Sequence, residues 1–199
     1  MENNQEQNSV HTENSIKMAT NLFSYPEILV FTSSYNVYKV QNKNYNSIVQ
    51  IVREMDMEET EKPIYLTGTK NYSGYLFVSF ENGKAAKISF TSYQTETKRK
   101  KLKNAFSSES KLVFIEHIEG DIDLVAITSI DKVALFNTSL INPLGSRTSK
   151  GVQVMKSKAG SYLKTLKKLN HVKLIDPEYY RKDAGLNIVG FYLKPDDEI

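Results

Sequence analysis

Cysteine is missing from this 199-residue sequence, and with it go disulfides, thiol nucleophiles and zinc–thiolate sites. Histidine is scarce. His11, His117 and His171 stand far apart and form no HExxH or three-ligand pattern, which argues against metal catalysis. No run of ~18 apolar residues occurs, so no membrane-spanning helix is expected. The opening MENNQEQNSV carries no basic and then hydrophobic leader; secretion is not expected, and a cytoplasmic location is. Phosphate-wrapping frames are also missing. Gly83-Lys84 and Lys150-Gly151 lack the GxxxxGK[ST] context, and Gly83-Lys84 reads as a hairpin turn.

What is present is charge, unevenly distributed. The formal net charge is only +3, yet residues 62–173 hold 19 Lys+Arg against 8 Asp+Glu, leaving 7 against 15 in the remainder. A basic middle between acidic ends points to a polyanionic partner for the middle.

The chain also repeats. ILVFTSSYNVYKV (28–40), LFVSFENGKAAKI (76–88) and LVAITSIDKVALF (124–136) each read as strand, tight polar turn and strand, with a period of about 48 residues. Upstream, Ile16, Ile64 and Leu112 align, followed by Met18, Leu66 and Phe114, with the alternation of a half-buried strand. The spacing predicts three units over about 16–63, 64–111 and 112–159, and an all-β, propeller-like array. A single β-sandwich with similar hairpins is the alternative. Such modules must stack to bury their faces.

Residues 1–15 are polar and expected to be disordered. Residues 160–175 form no clear fourth unit. In DPEYYRKD, Asp176 is placed to cap a short helix starting at Pro177, and NIVGFYL (187–193) predicts a last, closing strand. The tail thus covers 176–199. Asp121 and Asp123 sit before a strand as solvated carboxylates would, and Tyr179 and Tyr180 read as helix-packing aromatics more than nucleophiles. The chain is not expected to be an enzyme on its own.

The basic residues cluster at corresponding places. GSRTSKG (145–151) carries Arg147 and Lys150; one repeat earlier, TKRKKLK (97–103) carries Lys98, Arg99, Lys100, Lys101 and Lys103. The matching stretch of the first unit, VQIVREM (49–55), has only Arg53. Stacked repeats would bring the two clusters together on one rim, with Lys156, Lys158, Lys164, Lys167 and Lys168 as an extension. Small residues up to Gly151 would let main-chain amides approach a phosphate. Aromatic residues are not interleaved with the lysines, which favours duplex DNA over a single strand.

These residues resemble the C-terminal domain of the A subunit of bacterial type IIA topoisomerases, DNA gyrase and topoisomerase IV. That family builds a β-pinwheel, in which propeller-like blades exchange strands and DNA bends around a positive rim. Its gyrase members carry Gln-Arg-Arg-Gly-Gly-Lys-Gly in one blade; Gly145-Ser146-Arg147-Thr148-Ser149-Lys150-Gly151 is similar, keeping Arg147, Lys150 and Gly151. The following VQVMKSKAG also resembles the family's strand after that loop and INPLG its approach, and the likeness covers about 16–175. Two departures stand out: three units where the family commonly has five or six, and loss of the leading Gln-Arg and the glycine pair. The second leans toward topoisomerase IV, with gyrase still open.

The resemblance implies a non-catalytic domain that binds and bends duplex DNA without base specificity and supports changes in DNA topology. It implies a place in an ATP-hydrolysing enzyme and a nucleoid-associated location. The implied partners, besides DNA, are the other domains of the same polypeptide and the ATPase B subunit. No cofactor is implied. The DNA contacts expected are Lys98, Arg99, Lys100, Lys101, Lys103, Arg147, Lys150, Gly151, Lys156 and Lys158. The rival reading is a propeller-like protein-interaction module whose lysines keep the rim soluble.

Overall fold

The apolar runs fold into hairpins at the expected spacing. Along the chain, β1 (Lys17–Met18) precedes the hairpin β2 (Glu27–Thr32) and β3 (Val37–Gln41), a short helix α1 (Ile48–Arg53) and β4 (Pro63–Thr69). The second hairpin, β5 (Tyr75–Phe80) and β6 (Lys84–Ser89), is followed by β7 (Lys101–Leu102) and β8 (Leu112–Ile118). The third, β9 (Asp123–Thr128) and β10 (Lys132–Asn137), is followed by β11 (Val152–Gln153), β12 (Leu163–Lys168), α2 (Pro177–Tyr180) and β13 (Phe191–Tyr192). This computed structural model describes residues 16–19, 21–96, 99–156, 158, 160–181 and 185–199. The polar stretch 1–15 and Lys98 lie outside them.

Each hairpin turn reaches the left-handed region at the same place: Tyr35 (φ 59°), Gly83 (φ 79°) and Asp131 (φ 54°). Reversing a twisted strand pair over so few residues calls for that conformation. The strand patterns repeat with it. Apolar residues run almost unbroken because each hairpin is buried on both faces.

The strands form three sheets, ordered β1-β4-β2-β3-β7, β8-β5-β6-β11 and β12-β9-β10-β13. Strand β8 contacts both β4 and β12, so these three gather at an axis and β7, β11 and β13 form the opposite, outer edge. The outer strands are exchanged. β7 lies beyond the second hairpin but pairs with the first, Leu102 opposite Val37. β11 lies beyond the third hairpin and pairs with the second, Val152 opposite Ala85. In the third blade the tail does the same job, Phe191 opposite Val133. This is the expected pinwheel, an array whose three described sheets do not close into a ring.

Side chains alternate between neighbours, as the strand period requires. Leu29 and Phe31 of the first blade meet Leu76, Val78 and Phe80 of the second. Phe77, on the other face, meets Leu124, Ala126 and Phe136 of the third. The two terminal faces are covered by local chain. Ile51 of α1, with Leu22, packs on Ile28, Val30 and Val40; Tyr180, Phe191 and Leu193 pack on Val125, Ile127, Val133 and Leu135. The segment 49–55, matched by spacing to the basic loops, is therefore mostly helix and serves as an end cap. Asp176 caps α2 through the Tyr179 amide at 3.3 Å, with Pro177 in its first turn. The closing strand is shorter than NIVGFYL, being Phe191–Tyr192 alone, with Ile188 making a separate bridge to Met155.

Candidate nucleic-acid interface

Both basic loops are consequences of strand exchange. To reach the outer edge of the first blade, the chain leaves β6 through a turn at Phe90–Tyr93 and comes back as β7. The residues in between carry the charge. Arg99 and Lys103 are exposed and make no ion pair with another described residue; Lys100 is exposed and within electrostatic reach of Glu54. The Lys100 carbonyl accepts the Lys39 amide at 2.8 Å, which fixes its backbone to β3.

Lys101 is occupied. Its ammonium lies 3.3 Å from Glu61 Oε2 and over the Tyr38 ring. The Glu61 side chain is fully buried and accepts hydrogen bonds from Thr32, from Asn36 at 2.8 Å and from Tyr38 at 2.9 Å. Burial alone would raise its pKa, but these donors and Lys101 outweigh it and bring Glu61 down to about 2. Lys101 thus fastens β7 to the first blade.

The second loop lies against the first. Leu144 zips along β6, its amide donating to Lys87 O at 2.8 Å and its carbonyl accepting the Ser89 amide at 2.9 Å. Arg147 then turns inward: Nη1 donates to Ser92 O at 2.8 Å and Nε to Asn104 O at 3.4 Å. Lys150 points outward, its side chain 68% exposed, with Glu109 at 3.3 Å. An exposed pair of this kind contributes little. Gly151 (φ 74°) passes so close to β6 that a Cβ would sit 2.2 Å from Ala85 O. Its glycine is required by that approach, whatever binds outside.

The third blade repeats the backbone without the charge. Gly190 (φ 77°) stands against Val133 O as Gly151 stands against Ala85 O, and those partners are one repeat apart. Val189 therefore occupies the place of Lys150. Lys156 and Lys158 are exposed beyond β11, where the Met155 amide bonds Gly83 O, at the hairpin-turn end of the second blade. Lys164 is exposed on β12. Lys167 and Lys168 face elsewhere, lining an axial cleft of about 700 Å³ with Lys17, Lys111 and His171. There Glu116 of β8 holds Lys17 of β1 at 2.6 Å and Lys168 of β12 at 3.0 Å, so one carboxylate ties all three sheets together.

The remaining candidates have structural partners. Asp121 accepts from Lys87 at 2.6 Å, which lowers its carboxyl, and Asp123 receives a two-pronged Arg181, which lowers its own. The buried Tyr180 hydroxyl bonds Asp197 and accepts the Lys194 amide. His117 stacks on Phe90, bonded to Thr67 and to Ser73 O. Glu61, Asn104 and Gly190 were not singled out from the sequence. Only Gly190 had a usable signal, since V-G-F-Y leading into β13 mirrors K-G-V-Q leading into β11. Among the described residues, no helix is long and apolar enough to cross a membrane.

No protein-family model matches the chain, and no curated protein matches its sequence. Solved structures do match. The C-terminal domain of DNA topoisomerase IV is 18% identical over 86% of this chain and 61% of its own, with a TM-score of 0.63. The DNA gyrase A C-terminal domain is 13% identical over 87% and 61%, with a TM-score of 0.60. The E. coli ParC C-terminal domain is 11% identical over 86% and 78%, with a TM-score of 0.64. The chain spans about three fifths of the length of the first two. Its exchanged-strand array thus has the fold of the C-terminal domains of topoisomerase IV and gyrase A.

Proposed function

We propose that this chain binds duplex DNA through its outer rim, without base specificity, and bends it as a C-terminal domain of topoisomerase IV or gyrase A. The observation that carries the reading is contact between the two basic loops, through Arg147 and the Asn104 carbonyl. Cations from two blades then lie on one track. Arg99, Lys100 and Lys103 form one half; Lys150, Lys156 and Lys158 form the other. Each phosphate they neutralise releases condensed counterions, which supplies affinity with no base read. Lys101 serves the track by anchoring its backbone, and Gly151 by letting the second loop hug the sheet. The same domain would work beside the breakage domains and the ATP-hydrolysing B subunit, at the nucleoid, and would bias the handedness of the DNA being passed.

Fluorescence anisotropy with a labelled duplex over a salt series tests this. The parent is expected to bind unrelated sequences alike, with affinity falling steeply as salt rises. Changing Arg99, Lys100 and Lys103 together to Ala should flatten the log–log slope by ~0.9 per lost contact. Equal slopes for the triple variant and the parent would refute the rim as the contact surface. The axial cleft favours a second reading, a protein-interaction module, which predicts little salt-sensitive retention of DNA.

A further inference from the structure

The residues on either side of the first cationic segment converge on one side chain. Ser92 stands at the end of the turn leaving β6, and Asn104 follows β7. Lys98 to Lys103 lie between them. The carbonyls of Ser92 and Asn104 both accept from Arg147, at 2.8 and 3.4 Å, and the guanidinium sits over Tyr93 with its carbon 6.0 Å from the ring centroid. Neighbouring bonds secure the same base: Ser92 Oγ donates to Gly145 O at 2.8 Å, and Tyr93 OH to Ala105 O at 2.7 Å.

We infer that Arg147 is a positioning residue, which staples the two ends of the cationic segment and registers it against its own loop, and is not itself a phosphate contact. The inference rests on the duplex reading for its effect on DNA, though the staple stands on geometry alone. Two hydrogen bonds from a planar fork to two separate carbonyls, made with the charge over an aromatic ring, suit a guanidinium. A lysine ammonium is a single point at the end of a flexible stem and cannot span both acceptors in that pose. Arg147 therefore differs in kind from Arg99 and Lys100, whose side chains are exposed. Without it, the loop ends are joined by the Tyr93–Ala105 bond alone, the charges remain, and the track loses its alignment.

Arg147→Lys separates the two roles because it keeps the charge and removes the fork. A staple predicts that R147K and R147A both weaken duplex binding about tenfold, with the salt slope of the parent retained in each. A phosphate contact predicts near-parent binding for R147K and a slope lower by ~0.9 for R147A; either result overturns the inference. Hydrogen exchange on the free protein gives a readout independent of DNA. The Lys39 and Ala105 amides, which bond Lys100 O and Tyr35 O, should exchange about tenfold faster in R147K, and unchanged exchange overturns the staple. Should the parent show no salt-dependent DNA retention, the duplex reading falls while the exchange result still decides the staple. If R147K does not fold, arginine-directed dicarbonyl labelling of the parent decides. Slow labelling of Arg147 with no further protection by a duplex supports the staple; fast labelling that the duplex suppresses overturns it.

Discussion

The second and third blades place the same backbone at the outer edge and dress it differently. Gly151 and Gly190 share a left-handed conformation and the same carbonyl neighbour, one repeat apart. Before Gly151 comes a loop with Arg147 and Lys150; before Gly190 come Leu186, Asn187, Ile188 and Val189. The glycine and the two-residue strand after it are thus what exchange needs. Lys150 is an addition to that frame and points into solvent, whereas Arg147 holds the backbone of the neighbouring loop. Loops that carry charge on a scaffold indifferent to it are where function is expected to reside.

Alanine substitutions show whether the two glycines do one job. Gly151→Ala puts a Cβ against a main-chain oxygen at positive φ and should cost about 3 kcal/mol or more. Gly190→Ala, whose Cβ would meet the flexible Met155 tip and a carbonyl 3.0 Å away, should cost about 2 kcal/mol. Thermal melts check both, and an unaffected Gly151→Ala would mean that the close approach is not required.

Next in size is the buried anchor of the first blade's rim strand; the second blade has only the exposed Lys150–Glu109 pair in that place. Glu61→Ala removes the carboxylate that Thr32, Asn36, Tyr38 and Lys101 share, leaving Thr32 and Tyr38 their weaker carbonyl partners, and should cost about 3 kcal/mol. Acid probes the same group. Its folded pKa of about 2 lies below the ordinary 4.5, so its stabilisation is complete above about pH 4.5 and lost as pH falls toward about 2. Urea midpoints measured across that interval should fall more steeply for the parent than for Glu61→Gln.

At the axis, Glu116→Gln should cost about 1–2 kcal/mol by releasing Lys17 and Lys168, and the difference should shrink as salt is added. The smallest effect is expected at Val189. Val189→Lys grafts the Lys150 position onto the third blade, where Val189 is 40% exposed. Stability should change by less than ~0.5 kcal/mol, while the salt dependence of duplex binding steepens by ~0.9. An unchanged slope would place the third blade's edge off the track.

Much of the architecture was legible because it repeats. Ile28, Leu76 and Leu124 share a spacing, a strand and a packing direction, and one period holding through three apolar hairpins leaves few arrangements. Exchange was not legible from spacing, since β7, β11 and β13 are two residues each and carry no periodicity of their own. Spacing even misaligned the loops slightly. Leu102 and Val152 take equivalent partners, Val37 and Ala85, although their separation is a little longer than the repeat. For the site, charge density located the loops, but it could not separate free cations from occupied ones. Lys101 and Lys103 look alike in TKRKKLK; a buried carboxylate 40 residues upstream makes them different. Arg147 was expected at a phosphate, and the carbonyls it meets belong to backbone that no composition reveals.

Borrowing the edge strand from later chain sets a schedule for biosynthesis. The first blade finishes its sheet only when Leu102 has left the ribosome, the second waits for Gln153, and the third for Tyr192. Maturation therefore trails translation by about one module throughout, and each of the first two blades keeps an unfinished margin until its cationic loop has emerged.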